Sequence, residues 1–169
     1  MRINPKLCQI VNNIKMVVFD FDGVFTDNRV LVLQDGSEGV FCNRSDGWGI
    51  KTLKEQGMYV LVISTEKNPI VTARCKKLCI DCIQGCENKF RTLQNQAEKF
   101  NVGLDKIAFL GNDVNDLECL KKVGLPACVS DSHPDILKIC RYITKYSGGN
   151  GAVREFCDFV IKVKNGKLS

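Results

Sequence analysis

Two aspartates one residue apart, Asp20 and Asp22, stand where the apolar run Met16-Val-Val-Phe19 ends and Gly23-Val-Phe-Thr26 begins. A buried strand has no use for neighbouring carboxylates, and their repulsion must be offset by something positive. A divalent metal is the natural partner for such a pair. One carboxylate can then attack a phosphorus while the other handles the leaving group's proton. That pairing serves phosphoryl transfer.

Three more polar groups follow apolar runs further along the chain. Ser64-Thr65 follows Val60 to Ile63, Lys89 opens a helical stretch after Ile80 to Ile83, and Asn112-Asp113-Val-Asn115-Asp116 follows Phe109-Leu110-Gly111. A hydroxyl with nearby backbone N–H groups can bind phosphoryl oxygens, and an ammonium can neutralise a nucleophile and its phosphate. A second acidic cluster can complete the oxygen shell of a metal. Taken alone, each has an ordinary explanation as a turn, a solvated helix start or a cap. Four of them, each after a strand and in this order, point to one site.

The elements that must position these groups alternate between strand and helix. Strands are expected at Met16 to Asp20, Tyr59 to Ile63, Ile80 to Ile83, Ile107 to Leu110 and near Ala127 to Val129. Helices are expected at Trp48 to Gln56, Pro69 to Leu78, Lys89 to Phe100, Val114 to Val123, Pro134 to Cys140 and Ala152 to Val163. Continuous apolar strands between helices predict an α/β fold, with a parallel sheet covered by helices on both faces. Such sheets bind ligands at the carboxyl ends of their strands, where all four groups lie. Arg29 to Leu33 and Glu38 to Cys42, joined across Asp35-Gly36, read as a β-hairpin inserted directly after the twin aspartates. It would lie over the site as a flap. No repeat or linker is visible, so the 169 residues read as one domain with a hairpin insertion at 29–42.

These motifs resemble those of the haloacid dehalogenase superfamily, whose Rossmann-like fold matches the predicted order. Asp20-x-Asp22-Gly-x-x-Thr26 is similar to its first motif, Ser64 to the second, Lys89 to the third and Gly111-Asn-Asp-Val-Asn-Asp116 to the fourth. The similarity runs from residue 15 to about 163, and is strongest to the small-capped branch of KDO 8-phosphate phosphatases and sialic-type sugar 9-phosphate phosphatases. The C-terminal domain of some CMP-sialic acid synthetases belongs to that branch too. The resemblance implies a Mg²⁺-dependent phosphatase acting on a phosphorylated sugar acid and assembled as a homotetramer. It makes Asp20 the nucleophile that forms an aspartyl-phosphate, and Asp22 the general acid and then base, with its backbone carbonyl on the metal. Ser64 would bind phosphate and Lys89 would support the intermediate. One departure stands out: the residue after Gly111 is usually a metal-binding aspartate and here is Asn112, so either Asn112 or its neighbour Asp113 would complete the shell.

On the substrate side, Thr65 and Glu66 follow Ser64, and Lys77 lies eleven residues after Glu66. If the helix begins early enough, Glu66 and Lys77 share a face and could read hydroxyls and carboxylate of a sugar acid. Glu66 and Ser45 both lean toward the sialic-type relatives, since octulosonate-type ones commonly carry arginine at these places. Arg154 follows three glycines at a helix start, a good place for an anion. The single histidine, His133, precedes Pro134 and reads as a helix cap.

Composition sets the limits. With 44% apolar residues the chain can bury a full core, and its net charge of +5 is spread without the basic stripe that nucleic-acid binding needs. No stretch approaches the ~20 apolar residues of a membrane span, and the N-terminus lacks a signal peptide's apolar core, so a cytoplasmic protein is expected. Ten cysteines include Cys75, Cys79, Cys82 and Cys86 in close order. They fall partly on a helix end and partly on a strand, which suits reduced, packed thiols better than a zinc or iron–sulfur site. Two rival readings remain open: a non-catalytic assembly domain, as in the sialic acid synthetases, and a cysteine-bound metal sensor.

Overall fold

A computed structural model describes residues 4–168. Six parallel strands form the central sheet: β1 (Met16–Phe19), β4 (Tyr59–Ile63), β5 (Asp81–Ile83), β6 (Ile107–Gly111), β7 (Leu125–Cys128) and β8 (Tyr142–Ile143), in the order β5-β4-β1-β6-β7-β8. β1 is central and fully buried, with Phe19 in register with Val62 on one side and Leu110 on the other. Its side chains alternate between two cores. Val17 and Phe19 face α1 (Pro5–Asn13), α2 (Asp46–Glu55), α3 (Pro69–Leu78) and α7 (Ala152–Lys164), whereas Met16 and Val18 face α4 (Lys89–Lys99), α5 (Leu117–Lys122) and α6 (Pro134–Leu137). A strand buried on both faces needs continuous apolar character, which is what made it legible. Among the described residues no helix is long and apolar enough to cross a membrane.

The order of the strands reverses direction between β1 and β6, so the crevice between these two neighbours is the topological switch point. Asp20 follows one of them and Asn112 the other. The loop after β1 is clamped from the far end of the chain. A Cβ at Gly148 would lie 2.0 Å from the Gly23 carbonyl oxygen, and the Gly149 N–H donates to the Val24 carbonyl at 3.1 Å. Only a residue without a side chain permits that approach.

Several boundaries differ from expectation. The inserted hairpin is shorter than 29–33 and 38–42: β2 (Leu31–Val32) and β3 (Glu38–Gly39) share two residue pairs, with one further bridge from Thr26 to Cys42. The expected helix at 114–123 is a 3₁₀ turn at Val114–Asp116 followed by α5, because the Asp116 side chain folds back onto the turn's own backbone. Helix 134–140 stops at Leu137, and β7 begins at Leu125 rather than near Ala127. α1 and β8 were not foreseen; the Asn4-Pro5 pair was the available signal for α1, since the Asn4 side chain accepts from the Lys6 N–H and proline fits the first helical position.

Asp46 starts α2 against α7 and is 1% exposed. Its Oδ1 accepts from the Arg154 N–H at 3.2 Å, while Oδ2 is buried with no hydrogen-bond partner. Burial therefore pushes its carboxyl up to about 7, against the pull of the Arg154 N–H and of Arg74. A folded carboxyl that holds its proton more tightly than the unfolded one loses stability as pH rises between about 4 and about 7. Asp46→Asn keeps the acceptor and removes the charge. Urea unfolding should show the variant more stable than the parent by on the order of 1–3 kcal/mol at pH 8, with the difference vanishing near pH 4.

Candidate active site

The sheet delivers four groups to the carboxyl end of its central strands. Asp20 leaves β1 with its N–H donating to the Leu110 carbonyl at 3.0 Å, and its Oδ1 accepts from the Phe21 N–H at 2.7 Å. Lys89, the first residue of α4, reaches across to lie between two carboxylates. Its Nζ is 2.8 Å from Asp20 Oδ1 and 2.7 Å from Asp116 Oδ1, and all three side chains are at most 6% exposed. Asp116 is fixed in turn, since its Oδ2 accepts from the Asn112 N–H at 2.9 Å. Gly111 makes room for it, because a Cβ there would stand 2.5 Å from Asp116 Oδ2. Ser64 is buried after β4, with its N–H donating to the Ile83 carbonyl and its Oγ accepting from the Glu66 N–H at 3.1 Å. Thr26 closes the first loop, its Oγ1 accepting from the N–H groups of Gly23 and Asn28.

Electrostatics follow from that burial. Desolvation and the charge of Asp116 push Asp20 up to about 8, opposed by Lys89. Burial works against the Lys89 charge, but the two carboxylates outweigh it and hold the ammonium above its ordinary range. Asp22, half-buried, is raised by desolvation and by the nearby carboxylates of Glu66 and Glu38, with Lys89 pulling the other way. The chain alone thus leaves the site short of positive charge.

A divalent cation fits that deficit. Among the described residues no three His, Cys, Asp or Glu side chains are grouped to hold a metal. The available donor set includes an amide instead. Asn112 is 9% exposed, its Oδ1 is buried without a hydrogen-bond partner, and its carboxamide lies so close to the first loop that a Cβ at Gly23 would come 1.9 Å from Nδ2. The positive φ of +74° at Gly23 suits glycine there. Asp113 points elsewhere: it is exposed and its Oδ1 accepts from the Val114 N–H as the cap of its own turn.

The remaining expected residues divide. Glu66 lines a cleft beside Asp22, and Thr65 lines a separate depression with Asn88, Lys89 and Asn115. Lys77 does not join them. α3 begins at Pro69, so Glu66 lies outside it and the expected common face does not exist. Lys77 falls in the last turn of α3, about 12 Å along the axis from its start and toward the amino ends of the strands, because α3 runs back from the end of β4 to the start of its parallel neighbour β5. Arg154 is also turned away. Its Nε donates to Asp158 at 2.8 Å, and it lines a different cavity with Asn43 and Ser45, while Asp46 already occupies the start of its helix. His133 caps α6, with its Nδ1 accepting from the Asp135 N–H. Asp116 was seen only as part of an acidic run; its signal was the three-residue offset from Asp113 that makes a capping box.

Comparison with known proteins bears on this geometry. Residues 63–156 match the family model for haloacid dehalogenase-like hydrolases. The 3-deoxy-D-manno-octulosonate 8-phosphate phosphatase KdsC of Salmonella typhimurium is 32% identical over 98% of this chain and 88% of its own length. The chain belongs to the haloacid dehalogenase-like hydrolases. This hydrolase also superposes on the 3-deoxy-D-manno-octulosonate 8-phosphate phosphatase of Moraxella catarrhalis, solved with magnesium, phosphate and KDO. The TM-score is 0.92 at 30% identity, over 95% of this chain and 93% of that one. A third relative, the cobalt-bound deoxy-D-mannose-octulosonate 8-phosphate phosphatase of Haemophilus influenzae, has a TM-score of 0.89 at 28% identity, covering 93% and 92%.

In this hydrolase Lys89 is the only countercharge within hydrogen-bonding distance of Asp20 and Asp116 among the described residues. Lys89→Met should abolish turnover and destabilise the fold by about 3–5 kcal/mol, because two carboxylates are left buried and unpaired. Denaturant midpoints together with phosphate release check both parts; a variant as stable as the parent would contradict the pairing.

Proposed function

We propose that this hydrolase is a Mg²⁺-dependent phosphatase that removes the terminal phosphate of a 2-keto-3-deoxy sugar acid through an aspartyl-phosphate. The candidate substrates are KDO 8-phosphate and the nine-carbon sialic or KDN 9-phosphates. The observation that carries the reading is the buried Asp20–Lys89–Asp116 chain at the switch point, with the half-buried Asp22 two residues on. The names of the relatives support the substrate class.

In the first step Asp20 attacks phosphorus, an oxygen–phosphorus bond forms, and the bond to the sugar oxygen breaks. Asp22, whose surroundings favour the protonated form, gives its proton to that leaving oxygen. In the second step Asp22 takes a proton from water as it attacks the same phosphorus, releasing phosphate and restoring Asp20. Lys89 holds Asp20 in place and offsets charge throughout, and Ser64 with the N–H groups of its loop receives phosphoryl oxygens. Asp20, the backbone carbonyl of Asp22 and Asn112 Oδ1 would hold the Mg²⁺, which supplies charge neutralisation and polarises the phosphoryl group.

The flap supports a second element of the proposal. Val30, Leu31, Val32, Leu33 and Phe41 are each more than half exposed, and a two-stranded hairpin has no core of its own. We assign this surface to contact with another copy of the chain, in a homotetramer that closes the site.

Phosphate release with Mg²⁺ from a panel of sugar acid phosphates tests the activity, and no release from any of them would favour the assembly-domain alternative. Asp20→Asn should lower turnover by about a thousandfold or more while the protein stays folded by circular dichroism. Near-parental release would remove the nucleophile assignment.

Asn112→Asp adds a negative ligand and should lower the Mg²⁺ concentration needed for half activity, in a metal titration of the rate. An unmoved midpoint would shift the ligand role to Asp113.

Replacing Val30 and Val32 with charged residues should dissociate the assembly and reduce activity together. Light scattering of the unmodified protein at micromolar concentration decides the premise, and a monomer there would refute it.

A further inference from the structure

The flap is held at its base by the Thr26–Cys42 bridge and by the partly buried Val40 and Cys42, and by few polar contacts beyond it. Among the described residues, one side-chain hydrogen bond links residues 30–42 to anything outside them: Asn68 Nδ2 donates to Glu38 Oε2 at 2.7 Å. The orientation of Asn68 is set independently, because its Oδ1 accepts from the Ile70 N–H at 3.0 Å and so caps α3. Its amide nitrogen must then face the flap. The preceding loop is fixed as well, by the Glu66 N–H on Ser64 Oγ and by the Gly85 N–H on the Glu66 carbonyl at 2.9 Å. Beyond its base, the flap is therefore tied to the same loop that presents Ser64.

Beneath it lies a cleft of about 260 Å³ bounded by Asp22, Asn28, Arg29, Glu38, Glu66 and Asn68. Arg29 brings the one positive charge, and its Nε already donates to Asp27 at 2.8 Å. Glu38 and Glu66 line this cleft together with Asp22. Asn68 engages one oxygen of Glu38 and leaves the other free to accept. The three carboxylates on its polar side, facing apolar side chains such as Val40, Ile70 and Val71, repel a second anionic group near the phosphate and accept hydrogen bonds from hydroxyls.

We infer that Glu38, positioned by Asn68, is a specificity-determining residue that accepts a hydrogen bond from a hydroxyl on a carbon close to the phosphate ester. The site then selects phosphorylated polyols over esters that lack such hydroxyls. This rests on the phosphatase function proposed above, and names which end of the substrate the flap reads.

Asn68→Asp separates the two jobs of Asn68. A carboxylate still caps α3, but the donor to Glu38 is gone and two carboxylates now oppose each other. Adding Glu38→Gln restores a donor, since the glutamine amide can donate to Asp at 68. In Asn68→Asp, KM for the phosphorylated sugar acid should rise about tenfold, the loss expected for a hydrogen bond to a charged acceptor, with kcat less affected. For p-nitrophenyl phosphate, whose leaving group has no aliphatic hydroxyl, the effect on kcat/KM should be smaller than for the sugar acid. Amide exchange over residues 30–42 should quicken in the single variant, and the double variant should recover exchange and part of the KM loss, because its acceptor at position 38 is neutral. An unchanged KM, an equal loss on both esters, or no recovery in the double variant would overturn the inference. If the parent protein turns over neither ester, the phosphatase function itself fails, which is a different result.

Discussion

A single ammonium makes the centre of this protein possible. Asp20 and Asp116 come from loops after neighbouring strands, and both are buried at the point where the sheet's connections change direction. Two carboxylates there would repel each other and lose their hydration. Lys89 removes that conflict by lying within 2.8 Å of each. The arrangement is costly by itself, since three desolvated charges recover their hydration energy only when geometry and additional hydrogen bonds are good. The extra bonds are present: the Phe21 N–H on Asp20, and the Asn112 N–H on Asp116. The same constraint fixes Gly111, whose missing side chain is the space that Asp116 fills.

Much of this was legible in the sequence, for a physical reason. Strands buried on both faces must be apolar throughout, so Met16–Phe19, Tyr59–Ile63 and Ile107–Gly111 are visible without neighbours. Polar residues directly after them have little structural purpose and stand out. Short elements gave no comparable signal. β8 has two residues and depends on pairing with β7, and the hairpin's few paired residues are set by contacts that composition does not encode. Asp116 was hidden because its partner, Lys89, is 27 residues away. Whether Glu66 and Lys77 share a helix face was not legible, because periodicity does not say where a helix begins, and the claim that Asp158 makes on Arg154 was hidden in the same way.

The ten thiols show how burial settles chemistry that counting leaves open. Cys75, Cys119 and Cys157 lie in the core, where desolvation pushes their pKa values up and keeps them as unreactive small hydrophobes. Cys79, in the left-handed conformation that ends α3, is exposed, and Cys86 directs its sulfur to the Ser64 carbonyl at 3.3 Å. Of the clustered four, Cys75 and Cys79 thus serve a helix and its end, Cys82 a strand and Cys86 a loop, which are different local tasks.

The contact between Gly148 and the loop after β1 has a consequence for how the chain comes to life. Gly23 and Gly148 are distant in sequence, and Phe19 meets its partner Leu110 only after most of the chain exists. Such non-local pairing is assembled late, because the entropy of closing a long loop is lost before the contact rewards it. Synthesis from the N-terminal side produces the first aspartate well before the glycines that clamp its loop. A nascent chain that stops short of Gly148 and Gly149 therefore lacks the contacts that clamp the loop after Asp20.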